Sequence, residues 1–204
     1  GLALARDIKG EKHNVIALIG DGSLSGGEAF EGLNHSSTLN SNFIIIVNDN
    51  EMSIAENQGG LYENLKELRE NKGNSKNNFF KSFGFEYRYL EEGNDIEKLI
   101  ELFKEIKDIN HPVVLHIHTL KGKGYKPAEE SKEAHHWCLP NFMNSSEFDK
   151  HETYESITTD YILDKYKKGE NIVAVNPATP GAIGFYKDFR KELKNNYTDT
   201  AIAE

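Results

Sequence analysis

Two short clusters carry the oxygen atoms from which a cation site could be built: Gly20-Asp21-Gly22 and Asn48-Asp49-Asn50. Each follows at once on an uninterrupted apolar run, Val15–Ile19 for the first and Phe43–Val47 for the second. Runs of this length read as buried parallel strands, and ligands in an open parallel sheet collect outside the carboxyl ends of its strands. The two clusters are therefore expected to face one crevice. Gly22 lets the main chain approach an anion closely, and a helix starting beside it adds free N–H groups and a positive dipole end, together worth roughly 0.3–1 kcal/mol. Asp21 opposes such an anion. A carboxylate about 4 Å from a phosphate oxygen costs on the order of 4 kcal/mol at an effective dielectric near 20, which exceeds the dipole contribution. A divalent cation between the two reverses the sign. Hard oxygen ligands are at hand in the Asp21 carboxylate, the Asn50 side-chain carbonyl and a nearby main-chain carbonyl such as that of Met52. Two diphosphate oxygens and a water would complete the octahedron that Mg²⁺ demands.

The elements that must hold these residues follow from hydrophobic spacing. Ala29, Phe30 and Leu33 share a helix face between the two strands, giving one βαβ unit. Ile96, Leu99, Ile100, Phe103 and Ile106 predict a strongly amphipathic helix, and Val113–Ile117 a third strand leading into Gly122 and Gly124. On that strand His116 and His118 alternate with Leu115 and Ile117, so they are expected to face outward and not to bind metal. Residues 61–78 are polar and read as an exposed connection with some helix in it. Periodicity is lost over 138–152, where Pro140, Asn144, Ser145 and Ser146 accumulate, which predicts a linker. The βα pattern then restarts with a helix near Tyr154–Tyr166, a strand Ile172–Val175 and a helix around Ile183–Leu193. The expected fold class is α/β, a doubly wound parallel sheet over residues 1–137 followed by the start of a second α/β domain over 153–204.

Composition narrows the partners. Lysine and arginine number 24 against 33 aspartates and glutamates, a net charge of −9, which argues against a nucleic-acid backbone or an anionic membrane. The apolar runs fall far short of the roughly 20 residues that span a bilayer. Cys138 is the single cysteine, so no internal disulfide can form, and a reducing, cytoplasmic compartment is expected. The chain begins at Gly1 within a helical pattern that has no cap, from which a missing N-terminal part is expected.

The order and spacing of the two clusters look like the thiamine-diphosphate motif. Ile19-Gly20-Asp21-Gly22-Ser23-Leu24-Ser25-Gly26-Gly27 through Asn48-Asp49-Asn50-Glu51-Met52-Ser53-Ile54 resembles the 1-deoxy-D-xylulose-5-phosphate synthase family, a transketolase-like group. His118-Thr119-Leu120-Lys121-Gly122-Lys123-Gly124-Tyr125-Lys126-Pro127-Ala128-Glu129 resembles that family's stretch at the end of the cofactor domain, and Ala201-Ile202-Ala203-Glu204 the run that holds its catalytic glutamate. The sequence departs from the family at Glu92-Gly93-Asn94-Asp95, where Asp-Gly-His-Asp is usual, and at Ala178-Thr179-Pro180-Gly181, where an arginine is usual.

The resemblance implies a diphosphate- and Mg²⁺-binding domain at 1–137 lacking its N-terminal part, and the beginning of a pyrimidine-binding domain at 153–204. It assigns the metal to Asp21, Asn50 and Met52, and thiamine diphosphate to Gly22, Ser23, Asn50, Ile54, Tyr125 and Glu204. Glu204 and His136 would be catalytic. A carboxylate at the pyrimidine N1′ favours the cofactor tautomer that removes its own weakly acidic thiazolium proton, and an imidazole suits proton transfer near neutral pH. On the residues alone, other readings stay open. His135, His136 and Trp137 would also make a partly buried aromatic cluster, Tyr125 a surface ring on Pro127, and Lys121 and Lys123 either phosphate-steering groups or a solvated loop.

The implied activity condenses pyruvate with glyceraldehyde 3-phosphate to 1-deoxy-D-xylulose 5-phosphate with loss of CO₂, in a homodimer, supplying isoprenoid, thiamine and pyridoxal synthesis. The 204 residues alone are expected to be inactive. A transketolase-type ketol transfer between sugar phosphates and a non-catalytic subunit retaining the fold are the alternatives. A nucleotide-binding domain is disfavoured, since neither Gly-x-Gly-x-x-Gly nor a phosphate-binding Gly-Lys-Ser/Thr loop follows the first strand.

Overall fold

The computed structural model describes residues 1–137 and 152–203. Helix α1 (Leu2–Ile8) leads into β1 (Ile16–Gly20), a 3-10 turn (Asp21–Ser25), α2 (Gly27–Ser36), β2 (Phe43–Asp49), α3 (Gly60–Glu70), α4 (Phe79–Ser82), β3 (Glu86–Leu90), α5 (Ile96–Ile106), β4 (Pro112–His118) and α6 (Lys126–Glu130). The four strands form one parallel sheet in the order β1-β2-β4-β3. After residue 151 come α7 (Tyr154–Lys167), β5 (Ala174–Asn176), a 3-10 turn (Pro180–Ile183), α8 (Lys187–Leu193) and β6 (Tyr197–Asp199). β5 and β6 pair in parallel as a second, two-stranded sheet. The fold is thus α/β, with the main sheet packed on both faces.

Alternation along the strands divides the core in two. Ile45 and Val47 of β2 and Val114 of β4 point to one face, where Leu33 of α2, Tyr62, Leu65 and Leu68 of α3, and Phe80 of α4 cover them. Ile44 and Ile46 with Val113, Leu115 and Ile117 point to the other, where Ile106, Leu99, Leu102 and Phe103 of α5 pack. The chain steps outward from β1 to β2 and on to β3, then returns to β4 between them; a right-handed crossover on that return places α5 on the opposite face. Asp95 caps α5, its Oδ1 accepting the Glu97 and Lys98 main-chain N–H groups.

Four expectations are corrected. Residues 61–78 are not merely an exposed connection: α3 buries Tyr62, Leu65 and Leu68 in the main core, because three apolar positions at helical spacing outweigh the polar composition around them. His116 does not face outward; β4 lies between two strands and is covered on both faces, so alternation there switches between two interiors, and His116 is fully buried. The element directly after Gly20 is a 3-10 turn, and the α-helix begins only at Gly27. The helix expected around Ile183–Leu193 starts at Lys187, since Gly184 takes a left-handed conformation (φ 78°) and breaks it from the preceding 3-10 turn. Cys138 and all but Glu152 of the expected linker lie outside the described residues.

Candidate metal centre

β1 and β2 end side by side, with Gly20 opposite Asn48 in the ladder. This register brings the two oxygen-rich clusters together. The Asp21 carboxylate accepts main-chain N–H groups from Gly22 and from Asn50, and its Oδ2 accepts from Asn57 Nδ2 at 2.7 Å. Asp21 is buried, and that burial, reinforced by the charge of Asp49, pushes its carboxyl up from 3.8 to about 7. No cationic side chain pairs with it among the described residues. A carboxylate raised this far without a paired cation would be stabilised by a positive charge placed beside it.

The three residues Asn48-Asp49-Asn50 divide their work. Asn48 Oδ1 accepts from Thr119 Oγ1 at 2.7 Å, and Thr119 N–H donates to the Asp49 carbonyl at 2.8 Å, which ties the tip of β2 to the exit of β4. Asp49 points into the core. Its Oδ2 receives Arg69 Nη1 at 2.5 Å and is 2.8 Å from His116 Nε2, while its Oδ1 accepts the Glu51 N–H at 3.0 Å. Despite complete burial, these partners, His116 first and then Arg69, hold its carboxyl down at about 2. Behind it, His116 Nδ1 lies 2.8 Å from the Tyr87 hydroxyl. Burial and the charge of Asp49 push that phenol well above its ordinary value, so Tyr87 keeps its proton, and the His116 ring bridges it to Asp49 through its two nitrogens.

Asn50 is left to face the crevice. Its Oδ1 is buried and finds no hydrogen-bond partner in the structure. An orphaned buried acceptor costs about 1–3 kcal/mol, and the chain also accepts a left-handed Glu51 (φ 68°) on the order of another 1–3 kcal/mol to set this loop. A hard cation beside Asp21 would satisfy Asn50 Oδ1 and neutralise the carboxylate at once. Asn57 Oδ1, on the residue that holds Asp21, is likewise buried and unpartnered. Met52 sits half-buried in the same loop, paired with Glu56.

Gly22 is required by contact. A Cβ there would lie 2.9 Å from both Cβ and Oγ of Ser53, so the turn after β1 and the loop after β2 can close on each other only at glycine. Tyr62 pins the same turn, its hydroxyl donating to the Gly22 carbonyl at 3.0 Å and lying 2.9 Å from Ser25 Oγ. Ser23 is exposed on the turn and Ile54 half-buried in the facing loop. Lys121 closes the other side: Nζ donates to the Ser53 carbonyl and lies 3.1 Å from His136 Nδ1. Burial lowers the Lys121 ammonium, while Asp21 draws it upward, which places this cation within the field of the carboxylate. Burial and Lys121 together keep His136 below its ordinary value, so it is neutral at pH 7 with Nδ1 an acceptor toward Lys121.

Of the residues expected at the site, the structure gathers Asp21, Gly22, Ser23, Asn50, Met52, Ile54 and His136 around these two strand tips. The Tyr125 ring is exposed and edge-on to His135, with centroids 5.9 Å apart. Glu204 lies outside the described residues. Sequence reasoning missed Asn57, Tyr62, Arg69 and Tyr87, and misread His116. The spacing of Tyr62, Leu65, Leu68 and Arg69 was a usable signal for α3; nothing in the sequence pairs Asp49 with Arg69. Asn94, where the family usually has histidine, accepts the Leu120 N–H at 2.7 Å and so holds the start of the loop that carries Lys121.

Comparison with known proteins identifies the family. The family model described as 1-deoxy-D-xylulose-5-phosphate synthase matches residues 1–78 and 70–119, more than half of the chain. The chain is 39% identical over 207 residues to the protein of that name from Buchnera aphidicola, covering all of the chain and 35% of the relative. It is 38% identical over 215 residues to the one from Listeria monocytogenes (35% of its length) and 34% over 241 to the one from Clostridium botulinum (39% of its length), again with the whole chain covered. The chain spans a little over a third of the curated relatives it matches. With the two strand-tip clusters joined and a family match across them, this chain belongs to the 1-deoxy-D-xylulose-5-phosphate synthase family.

Proposed function

We propose that the protein to which this chain belongs is a thiamine-diphosphate- and Mg²⁺-dependent transferase that joins pyruvate to glyceraldehyde 3-phosphate with loss of CO₂, forming 1-deoxy-D-xylulose 5-phosphate. The observation that carries it is the buried, partnerless Oδ1 of Asn50 on a loop whose own N–H holds the raised carboxylate of Asp21. That pair fits a hard divalent ion and leaves coordination positions for two diphosphate oxygens. Asp21, Asn50 and the Met52 main-chain carbonyl would hold Mg²⁺. Gly22 and Ser23 would line the diphosphate, with Ile54 and Tyr125 toward the rest of the cofactor.

When bound, thiamine diphosphate supplies a nucleophilic thiazolium carbon able to cleave a 2-oxo acid and to add to an aldehyde. The protein's part is position and proton control. Asp49, anchored by Arg69 and His116, fixes the loop on which Asn50 would hold the ion. His136, kept neutral beside Lys121, can accept or return a proton at a substrate oxygen. Glu204 is assigned the pyrimidine N1′ by family resemblance. A second domain beginning near residue 153, a homodimer and a cytoplasmic location complete the reading; among the described residues no helix is long and apolar enough to cross a membrane.

Assay of the full-length protein tests this. Product should form from pyruvate and glyceraldehyde 3-phosphate only with thiamine diphosphate and Mg²⁺, and ketose phosphates should not serve as donors. Turnover of ketose phosphates without pyruvate would reject the assignment.

A further inference from the structure

Arg190 lies on α8, beyond the second sheet, yet its side chain reaches back across the molecule and is only 11% exposed. Its guanidinium grips Glu133 with both arms, Nη1 to Oε1 and Nη2 to Oε2, each at 2.8 Å. Nη1 also donates to the Phe185 carbonyl at 2.8 Å, and Nη2 to Glu56 Oε2 at 3.2 Å. The two carboxylates belong to the two walls of the metal crevice. Glu56 pairs with Met52 and precedes Asn57, which holds Asp21. Glu133 opens the turn whose carbonyl receives the His136 N–H at 3.1 Å.

The second unit touches the same crevice at one further place. Ala201, left-handed at φ 58°, is buried in the core that contains Leu24, and a Cβ at Gly26 would come 3.8 Å from Ile202 Cγ2. Asp199 aims this segment: Oδ1 accepts the N–H groups of Ala178 at 3.1 Å and Ala201 at 2.8 Å, and Oδ2 accepts from Asn176 Nδ2 at 3.0 Å. The run 200–203 therefore meets the first unit beside the Gly22–Gly26 turn, and Arg190 is the charged tie that spans the two units at the opposite wall.

We propose that Arg190 is a positioning residue, a clasp that holds the second α/β unit closed over the metal crevice and registers the loops bearing Glu56 and Glu133 against it. A planar, always-charged fork is suited to this, since a two-pronged bond fixes orientation as well as distance. It touches no expected reacting atom. The consequence rests on the proposed function: a cofactor held between the units binds only the closed arrangement, so its apparent affinity scales with the closed fraction, while the saturated enzyme is fully closed.

The test uses the full-length protein. Arg190→Met should raise the apparent dissociation constant for Mg²⁺-thiamine diphosphate in calorimetry, and its KM, by roughly 10- to 100-fold. At saturating cofactor kcat should stay within about twofold, because the chemistry is untouched. Arg190→Lys, which keeps charge but loses the fork, should recover part of the affinity, and Glu133→Gln should behave like Arg190→Met. Amide exchange of segments 51–57 and 197–203 without cofactor should quicken together in Arg190→Met. Unchanged affinity and exchange would overturn the clasp, as would a fall in kcat with affinity intact. If the wild type binds no thiamine diphosphate, the proposed function fails, and exchange alone decides the clasp: joint quickening of the two segments upholds it and unaltered exchange rejects it. Should Arg190→Met not fold, Arg190→Lys and Glu133→Gln carry the same readouts.

Discussion

Replacing Asp21 by asparagine should stabilise the metal-free protein. The wild-type carboxyl titrates near 7 in the folded state against 3.8 when exposed. Between those values the native state binds a proton that the unfolded chain does not, so stability falls as pH rises from about 4 to about 7 and stays low above. At about 1.36 kcal/mol per pH unit, the ionised side chain makes folding ~4 kcal/mol less favourable at pH 8 than a neutral one would. Asparagine carries no charge, and its Oδ1 can keep the N–H bonds from Gly22 and Asn50. Its amide would meet Asn57 Nδ2 donor to donor, but Asn57 can turn over, since its own Oδ1 has no partner to lose. Urea denaturation with a chelator present, at pH 5 and pH 8, reads the effect. The variant should exceed the wild type by ~3 kcal/mol more at pH 8 than at pH 5. Adding Mg²⁺ and thiamine diphosphate should close the gap at pH 8, since ligand at about a thousandfold over Kd contributes ~4 kcal/mol to the wild type and little to the variant. A variant less stable than the wild type at pH 8 without metal, or a gap that ignores pH, would refute the reasoning.

Arg69→Met should cost about 3–5 kcal/mol in urea denaturation, because Asp49 would remain buried without the guanidinium that pairs with it. Asp49, held down at about 2 from 3.8, supplies ~2 kcal/mol that is fully present above about pH 4 and lost as pH falls toward 2; acid denaturation of the wild type should show it, and Asp49→Asn should abolish that part of the acid limb. Gly22→Ala should weaken Mg²⁺-thiamine diphosphate binding at least tenfold by forcing the Ser53 loop away, and the double variant Gly22→Ala with Ser53→Gly should recover most of the loss in calorimetry.

What could be read from the sequence was whatever local pattern determines. Asp21 and Asn50 were legible because each ends an apolar run, and parallel strands of similar length put such ends together; Gly20 opposite Asn48 is that expectation realised. Helix α5 was read to the residue, Ile96–Ile106, since its apolar spacing coincides with an aspartate cap. Strand β3 went unread. It lies at the sheet edge, so Glu86 and Arg88 interrupt its apolar residues, and Tyr87 looks no different from a surface ring until Phe80 stacks on it at 5.8 Å. The Arg69–Asp49–His116–Tyr87 chain was beyond reach for a related reason, joining α3, β2, β4 and β3 through contacts that exist only after the sheet has assembled. The alternation at His116 was seen correctly but given the wrong meaning, because which side of a strand is solvent depends on what packs there.

Crystals of the full-length protein grown with thiamine diphosphate and Mn²⁺ in place of Mg²⁺ test the metal centre most directly. Anomalous scattering should show one ion bound by the Asp21 carboxylate and Asn50 Oδ1 at on the order of 2.1 Å, with diphosphate oxygens on its open side. An ion found instead at the neighbouring cluster of Glu51, Glu91 and His118, with Asn50 Oδ1 still lacking a partner, would contradict the account.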